Sequence, residues 1–201
     1  MQQRSERKDA ARHRELILDT ASQLFHEHGV ESVSMHQIAK SAGVGQGTLY
    51  RRYSSKAELC LELLMDSFRR FSTSIEVYLT QTAEAPVRER IEGFLNRWVE
   101  YTDQDIEWLN AIKPRELCTE DDMSVYDSEP FVFVTSTFKH LLDEAVQSGV
   151  SRPFNTEFAA FTMVSSSPST YFYFTKERGL TLEELQKQYV DYYSRLFFID
   201  K

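Results

Sequence analysis

Apolar side chains recur along this chain at helical intervals, not at the alternating intervals of strands. Ile17, Ala21, Leu24 and Phe25 fall at i, i+4, i+7 and i+8 within residues 9–28 and form one face of an amphipathic helix. Gly29 follows as a natural stop. Ser34 with Gln37 three residues later is a capping-box pattern, which predicts a short helix over Met35–Ser41 that ends at Gly43. A second short helix is expected over Gln46–Arg52. Ser55 as cap and Glu58 at the third helical position then open a long helix through Leu59, Leu63, Phe68 and Ile75.

Beyond Pro86 the elements lengthen. Residues 87–101 put Ile91, Phe94, Leu95 and Trp98 on one face, and 106–112 reads as a separate shorter segment. The acidic stretch between Pro114 and Pro130 is expected as a loop. Residues 131–147 read as a helix stopped by Gly149, and Asn155 caps the next one, with Pro168 inside it as an expected kink. Thr181 with Glu184 forms a further capping box. The last helix carries Leu185, Tyr189, Tyr192 and Leu196 at near-heptad spacing, which suits a helix–helix seam. The pattern predicts an all-α chain: a small three-helix domain over 1–55, joined by a long helix to a helical domain over 56–201. Two short helices linked by a glycine-bearing turn over about 34–53 are the grammar of a helix-turn-helix.

Composition narrows the function. Seven glycines and five prolines in 201 residues are too few for a many-turned β-sandwich. Net charge is -8, yet residues 1–60 hold nine Lys/Arg against seven Asp/Glu, so a mildly basic module precedes an acidic body. Cys60 and Cys118 stand far apart without metal-ligand spacing and read as reduced, half-buried thiols, with a disulfide as the lesser reading. No apolar run is long enough to span a bilayer, and no signal peptide is recognisable, so a cytoplasmic protein without a membrane partner is expected. No serine, histidine and carboxylate grouping suggests catalysis, and neither a metal site nor a cofactor is expected.

A helix-turn-helix that enters a major groove needs an apolar inner face and a polar outer one. On the second short helix Leu49 and Tyr53 are four apart and turn inward, whereas Gln46, Gly47, Tyr50 and Arg51 form the opposite face. Glutamine pairs with adenine through two bonds and arginine with guanine in the same way. Gly47 lets the backbone approach a duplex closely. Thr48, Arg52 and Lys56 flank this face as phosphate donors. Outside this geometry, Arg51 and Arg52 would read as a solvated surface. The basic residues Arg4, Arg7, Lys8, Arg12 and Arg14 fit either an arm along the DNA or a solubilising tail.

The segment "SMHQIAKSAGVGQGTLYRRYSSKAEL", together with "ILDTASQLFHEHGVESVS" before it, resembles the DNA-binding signature of the TetR family of transcriptional regulators. The resemblance runs from about Glu15 to Leu64 and implies a regulator, by default a repressor, that binds a palindromic double-stranded operator as a homodimer and responds to a small-molecule effector. It puts Gln46, Tyr50 and Arg51 at base-reading positions, His36 at a position where some members contact a base, and Ser34, Thr48 and Lys56 at phosphate contacts. Tyr53 departs from the commoner phenylalanine; its hydroxyl either reaches a phosphate or stands exposed. In the body, the resemblance implies that Trp98, Tyr101, Trp108 and Phe161 line an effector pocket. It also implies that helices over 154–176 and 181–198 build the dimer seam with Leu185, Tyr189, Tyr192 and Leu196. The competing expectation is a ligand sensor or interaction scaffold on the same fold that no longer reads DNA.

Overall fold

A computed structural model describes residues 2–111 and 125–199, with side chains described over 12–104 and 126–199. Within them the chain is helical, apart from one isolated β-bridge between Ser151 and Phe198. The order is α1 (Gln2–His28), α2 (Met35–Ser41), α3 (Gln46–Arg52), α4 (Lys56–Gln81), α5 (Val87–Ala111), a 3-10 turn (Val125–Asp127), α6 (Glu129–Gln147), α7 (Thr156–Phe172), a π-helical turn (Tyr173–Glu177) and α8 (Leu182–Phe197).

The described residues divide into two units. The first takes in the residues up to Ser67, hence α1 to α3 and the first three turns of α4, together with Glu107–Ala111 at the end of α5; the second is built on Phe68–Ile106 and on 125–199. The core of the first unit gathers Ile17, Ala21 and Phe25 from α1, Ile38 and Ala39 from α2, Leu49 and Tyr53 at α3, and Leu59 and Leu63 from α4. Arg14 of α1 ties that packing to α4 by hydrogen bonds to Glu62 and, at 3.0 Å, to Asp66. Partial burial opposes the Arg14 charge, but the bonds to Glu62 and Asp66 outweigh it and leave its pKa above the ordinary value.

In the second unit Phe94 of α5 stacks on Phe138 of α6 at 5.3 Å, and Leu95, Leu142, Ala160 and Met163 are fully enclosed. The Trp98 indole N–H donates to the Ser167 hydroxyl at 2.9 Å, which satisfies a buried polar pair between α5 and α7. After α8 the Ile199 amide donates to the Val150 carbonyl at 3.2 Å.

Four details differ from the helical expectation. Helix α1 starts at Gln2, well before residue 9. Helix α5 is continuous to Ala111 and does not break near Tyr101. The polar residues between those two segments are used inside the fold: Thr102 is 2% exposed and bonds the Trp98 carbonyl at 2.9 Å, and Asp103 accepts from the Tyr171 hydroxyl. Helix α6 begins at Glu129, so Pro130 lies in its first turn, where its missing N–H costs nothing. Helix α7 runs through Pro168 to Phe172, and its irregularity comes later, as the π-helical turn. Residues 112–124, which hold Cys118 and the acidic run Glu120, Asp121 and Asp122, lie outside the described residues, as does the side chain of Trp108.

Candidate nucleic-acid interface

The reading head is assembled from three local devices. Ser34 caps α2: its Oγ accepts the Gln37 amide at 3.2 Å while the Ser34 amide donates to Gln37 Oε1 at 2.8 Å. The turn to α3 then needs a residue with positive φ, which Gly43 supplies at 64°. The Val44 amide closes that turn on the Ala39 carbonyl at 3.0 Å. Finally, Leu49 at 0% exposure anchors α3 in the core, which turns the other side of this helix outward.

That outer side carries the residues expected from helical spacing. Gln46, Gly47, Tyr50 and Arg51 are exposed, with Thr48 and Arg52 half-buried at the flanks. A Cβ placed on Gly47 would meet no protein atom within 4 Å, so nothing inside the chain requires a glycine there. His36 is exposed on α2, and the Gln46 amide nitrogen donates to its Nδ1, joining the two helices across the outside of the turn. Lys40, also exposed on α2, was not singled out by the sequence, because a lone lysine on a helix surface carries no pattern.

Three expected DNA-facing residues have work inside the protein. Tyr53 is a correction: at 1% exposure its ring belongs to the core and its hydroxyl does not stand exposed. Among the described residues no partner meets that hydroxyl in hydrogen-bonding geometry, and burial, followed by the neighbouring Glu62 carboxylate, pushes its pKa above the ordinary tyrosine value. Lys56 donates through Nζ to the Val30 carbonyl at 2.7 Å and the Val33 carbonyl at 3.1 Å, clamping the segment between α1 and α2. Neither contact has a sequence signal, since both acceptors are backbone. The Ser34 hydroxyl donates to Gln37 Oε1 at 2.8 Å, so its proton is engaged by the capping box.

The body residues fall into separate groups. Tyr101 stacks on Phe71 at 4.4 Å with Trp98 5.7 Å away, whereas Phe161 packs with Tyr126 at 5.1 Å and Phe131 at 5.4 Å. A groove of about 1280 Å³ opens between α7 and α8, lined by Phe158, Thr162, Met163 and the four seam residues Leu185, Tyr189, Tyr192 and Leu196. Of the expected effector-pocket residues whose side chains are described, Trp98, Tyr101 and Phe161 do not line it. Leu185 and Tyr189 are buried within the chain itself, while Tyr192 and Leu196 are 63% and 60% exposed.

Residues 17–63, which contain all three devices of the head, match the pattern described as "Bacterial regulatory proteins, tetR family". The head of this chain carries the tetR-family DNA-binding pattern. Over nearly its full length, this chain is similar to an HTH-type transcriptional regulator of Staphylococcus aureus strain MRSA252. The two are 27% identical over 193 residues, 95% of this chain and 97% of that one. A second regulator, from S. aureus strain bovine RF122 / ET3-1, is 43% identical over 70 residues, which are 35% of this chain and 38% of the relative. The fold is shared with a transcriptional regulator from Saccharomonospora viridis solved in complex with choline. There the TM-score is 0.70 at 18% identity, covering 94% of this chain and 100% of that one. The family and these relatives are transcriptional regulators, not enzymes. No helix among the described residues is long and apolar enough to cross a membrane.

Proposed function

We propose that this chain is a ligand-responsive tetR-family repressor that binds a palindromic operator as a homodimer. The observation that carries the reading is the outer face of α3, where Gln46, Tyr50 and Arg51 are exposed around a glycine that the fold itself does not need. Gln46 and Arg51 supply the bidentate groups that distinguish bases in a major groove. Thr48, Arg52 and Lys56 supply hydroxyl and cationic donors for phosphates, with Lys56 doing so from a position already fixed by backbone carbonyls. Residues 1–55 then serve as the reading domain and 56–201 as the effector and dimer domain.

Two-fold symmetry dictates two half-sites spaced by one helical turn, about 34–36 Å. A small molecule held by the body, with Trp98, Tyr101, Trp108 and Phe161 as the candidate lining, favours a state whose heads are wrongly spaced. A coupling of about 1–3 kcal/mol suffices for such release. A fold neighbour solved with choline supports a small organic effector as the class.

The test is a mobility shift on the DNA upstream of the protein's own gene. Tyr50→Ala and Arg51→Ala should each weaken binding with the fold intact, and wild-type affinity should fall steeply with salt as phosphate contacts require. Unchanged binding by both variants would remove α3 from the interface. A wild type that shifts no DNA would favour the scaffold reading.

A further inference from the structure

We propose that His36 is the positioning residue for Gln46, fixing the orientation of its amide so that α2 and α3 present one hydrogen-bond pattern to a base pair. The inference rests on the DNA-reading role of α3. It starts from the bond between the Gln46 amide nitrogen and His36 Nδ1, ten residues apart in the chain and on two different helices.

Both ends of that bond are held by backbone. His36 is the second residue of α2, whose first turn is locked by the Ser34–Gln37 capping box. Gln46 is the first residue of α3, and its helix is set by Leu49 in the core and by the Leu49 amide on the Gly45 carbonyl at 3.1 Å. The turn between them is fastened by Gly43 on the Lys40 carbonyl at 3.2 Å and by Val44 on the Ala39 carbonyl at 3.0 Å. Both side chains are exposed, so their contact lies on the surface that faces outward from the head.

The chemistry explains why such a contact matters. A glutamine amide has a donor side and an acceptor side, and a free one turns about its last torsion and offers either to a partner. Adenine is recognised only when Oε1 faces the N6 amino group and an Nε2 hydrogen faces N7. With one Nε2 hydrogen given to His36 Nδ1, the other hydrogen and Oε1 remain, and they keep a fixed order. With the Gln46 amide donating to Nδ1, the imidazole N–H at Nε2 remains as a further donor beside the amide. His36 thereby removes a rotational freedom of Gln46 before DNA arrives, and the freedom no longer has to be lost on binding.

The experiment selects operator sequences from a random duplex library with the full chain and with His36→Ala, His36→Asn, Gln46→Ala and the His36→Ala/Gln46→Ala pair. His36→Ala should lower discrimination at one base pair per half-site at least about threefold, at the same base pair that Gln46→Ala relaxes. The double variant should discriminate no worse than Gln46→Ala alone. His36→Asn, whose Oδ1 is an acceptor one atom from Cγ as Nδ1 is, should recover part of the loss. In the free protein, nitrogen-15 spectra should report the Nε2–H tautomer of His36, and His36→Ala should change the Gln46 side-chain amide signals while the melting temperature stays put. Loss at two different base pairs, or additive losses in the double variant, overturns the positioning role and makes His36 an independent reader. Unchanged selection by His36→Ala also overturns it while leaving the DNA-reading role of α3 standing. A wild type that enriches no sequence overturns both.

Discussion

Gly47 costs the fold a little stability, and under the proposed DNA reading it lets a groove wall come close to the backbone. It lies inside α3, where glycine is a poor helix former, and a methyl group there would touch no protein atom within 4 Å. Gly47→Ala should therefore raise thermal stability by about 0.5–1 kcal/mol. The same methyl group would stand between the helix backbone and a groove wall. Operator affinity is expected to drop roughly tenfold, about 1.4 kcal/mol. Melting curves and mobility shifts on one preparation check both halves. A stabilised variant that binds as tightly as the wild type would show that the backbone of α3 does not approach DNA closely. Lys56 is the opposite case, since its ammonium already holds two carbonyls inside the head. The proposed phosphate contact from Lys56 would add to a structural duty, so the loss of Lys56 is a poor isolated test of DNA contact.

Between elements, α4 and α5 approach closely at Gly93. Tyr78 lies over it, with its hydroxyl donating to the Glu89 carbonyl at 3.1 Å, and the Arg97 guanidinium stacks 3.7 Å from the ring centre. A Cβ on Gly93 would sit 2.0 Å from the Tyr78 hydroxyl oxygen, far inside contact distance. Gly93→Ala should destabilise the protein by about 1–3 kcal/mol through forced repacking, read as a lowered melting temperature. Helices α6 and α7 are joined differently. Asp143 accepts from Lys139 at 2.7 Å and from Thr156 at 2.5 Å, and these bonds, Lys139 first, hold its pKa below the ordinary carboxylate value. A depressed folded pKa contributes stability above the unfolded value, and this stability is lost as pH falls through the folded one. Asp143→Asn should consequently cost about 0.5 kcal/mol at neutral pH and make stability less steep in acid, below about pH 4. An acid limb identical to the wild type in chemical denaturation would contradict the pairing. Burial along α8 follows Leu185, Tyr189, Tyr193 and Phe197, an i, i+4 row, with Tyr193 half-buried. The near-heptad stripe departs from that row after Tyr189, which leaves Tyr192 and Leu196 outside.

Taken together, the exposed side chains of the second unit suit self-association. Phe158 at 69% exposure joins Tyr192 and Leu196 along the α7–α8 groove, an apolar surface that a lone chain leaves in water. Tyr192→Glu with Leu196→Glu should shift sedimentation from dimer to monomer and abolish operator binding, while helix content is retained. A wild type that sediments as a monomer at micromolar concentration would end the dimer proposal. The net charge of -8 adds a second consequence. The molecule as a whole repels DNA, so binding depends on a local basic head, and raising salt should weaken the specific complex instead of relieving a general repulsion.

The sequence by itself determined the helical elements and most of their ends. Capping boxes at Ser34 and Thr181, the Asn155 cap and the positive-φ glycines are local chemistry, readable without knowing what lies nearby. The same held for the outward face of α3, because a seven-residue helix with one buried leucine has little choice of orientation. Tertiary structure alone decided what depends on residues far apart in the chain. It carried α5 through Thr102 and Asp103, drew the Tyr53 hydroxyl into the core and turned Lys56 onto backbone carbonyls. It also divided the α8 stripe between interior and surface. Periodicity specifies which side chains share a face, but the direction in which a neighbouring helix crosses that face specifies which of them it covers.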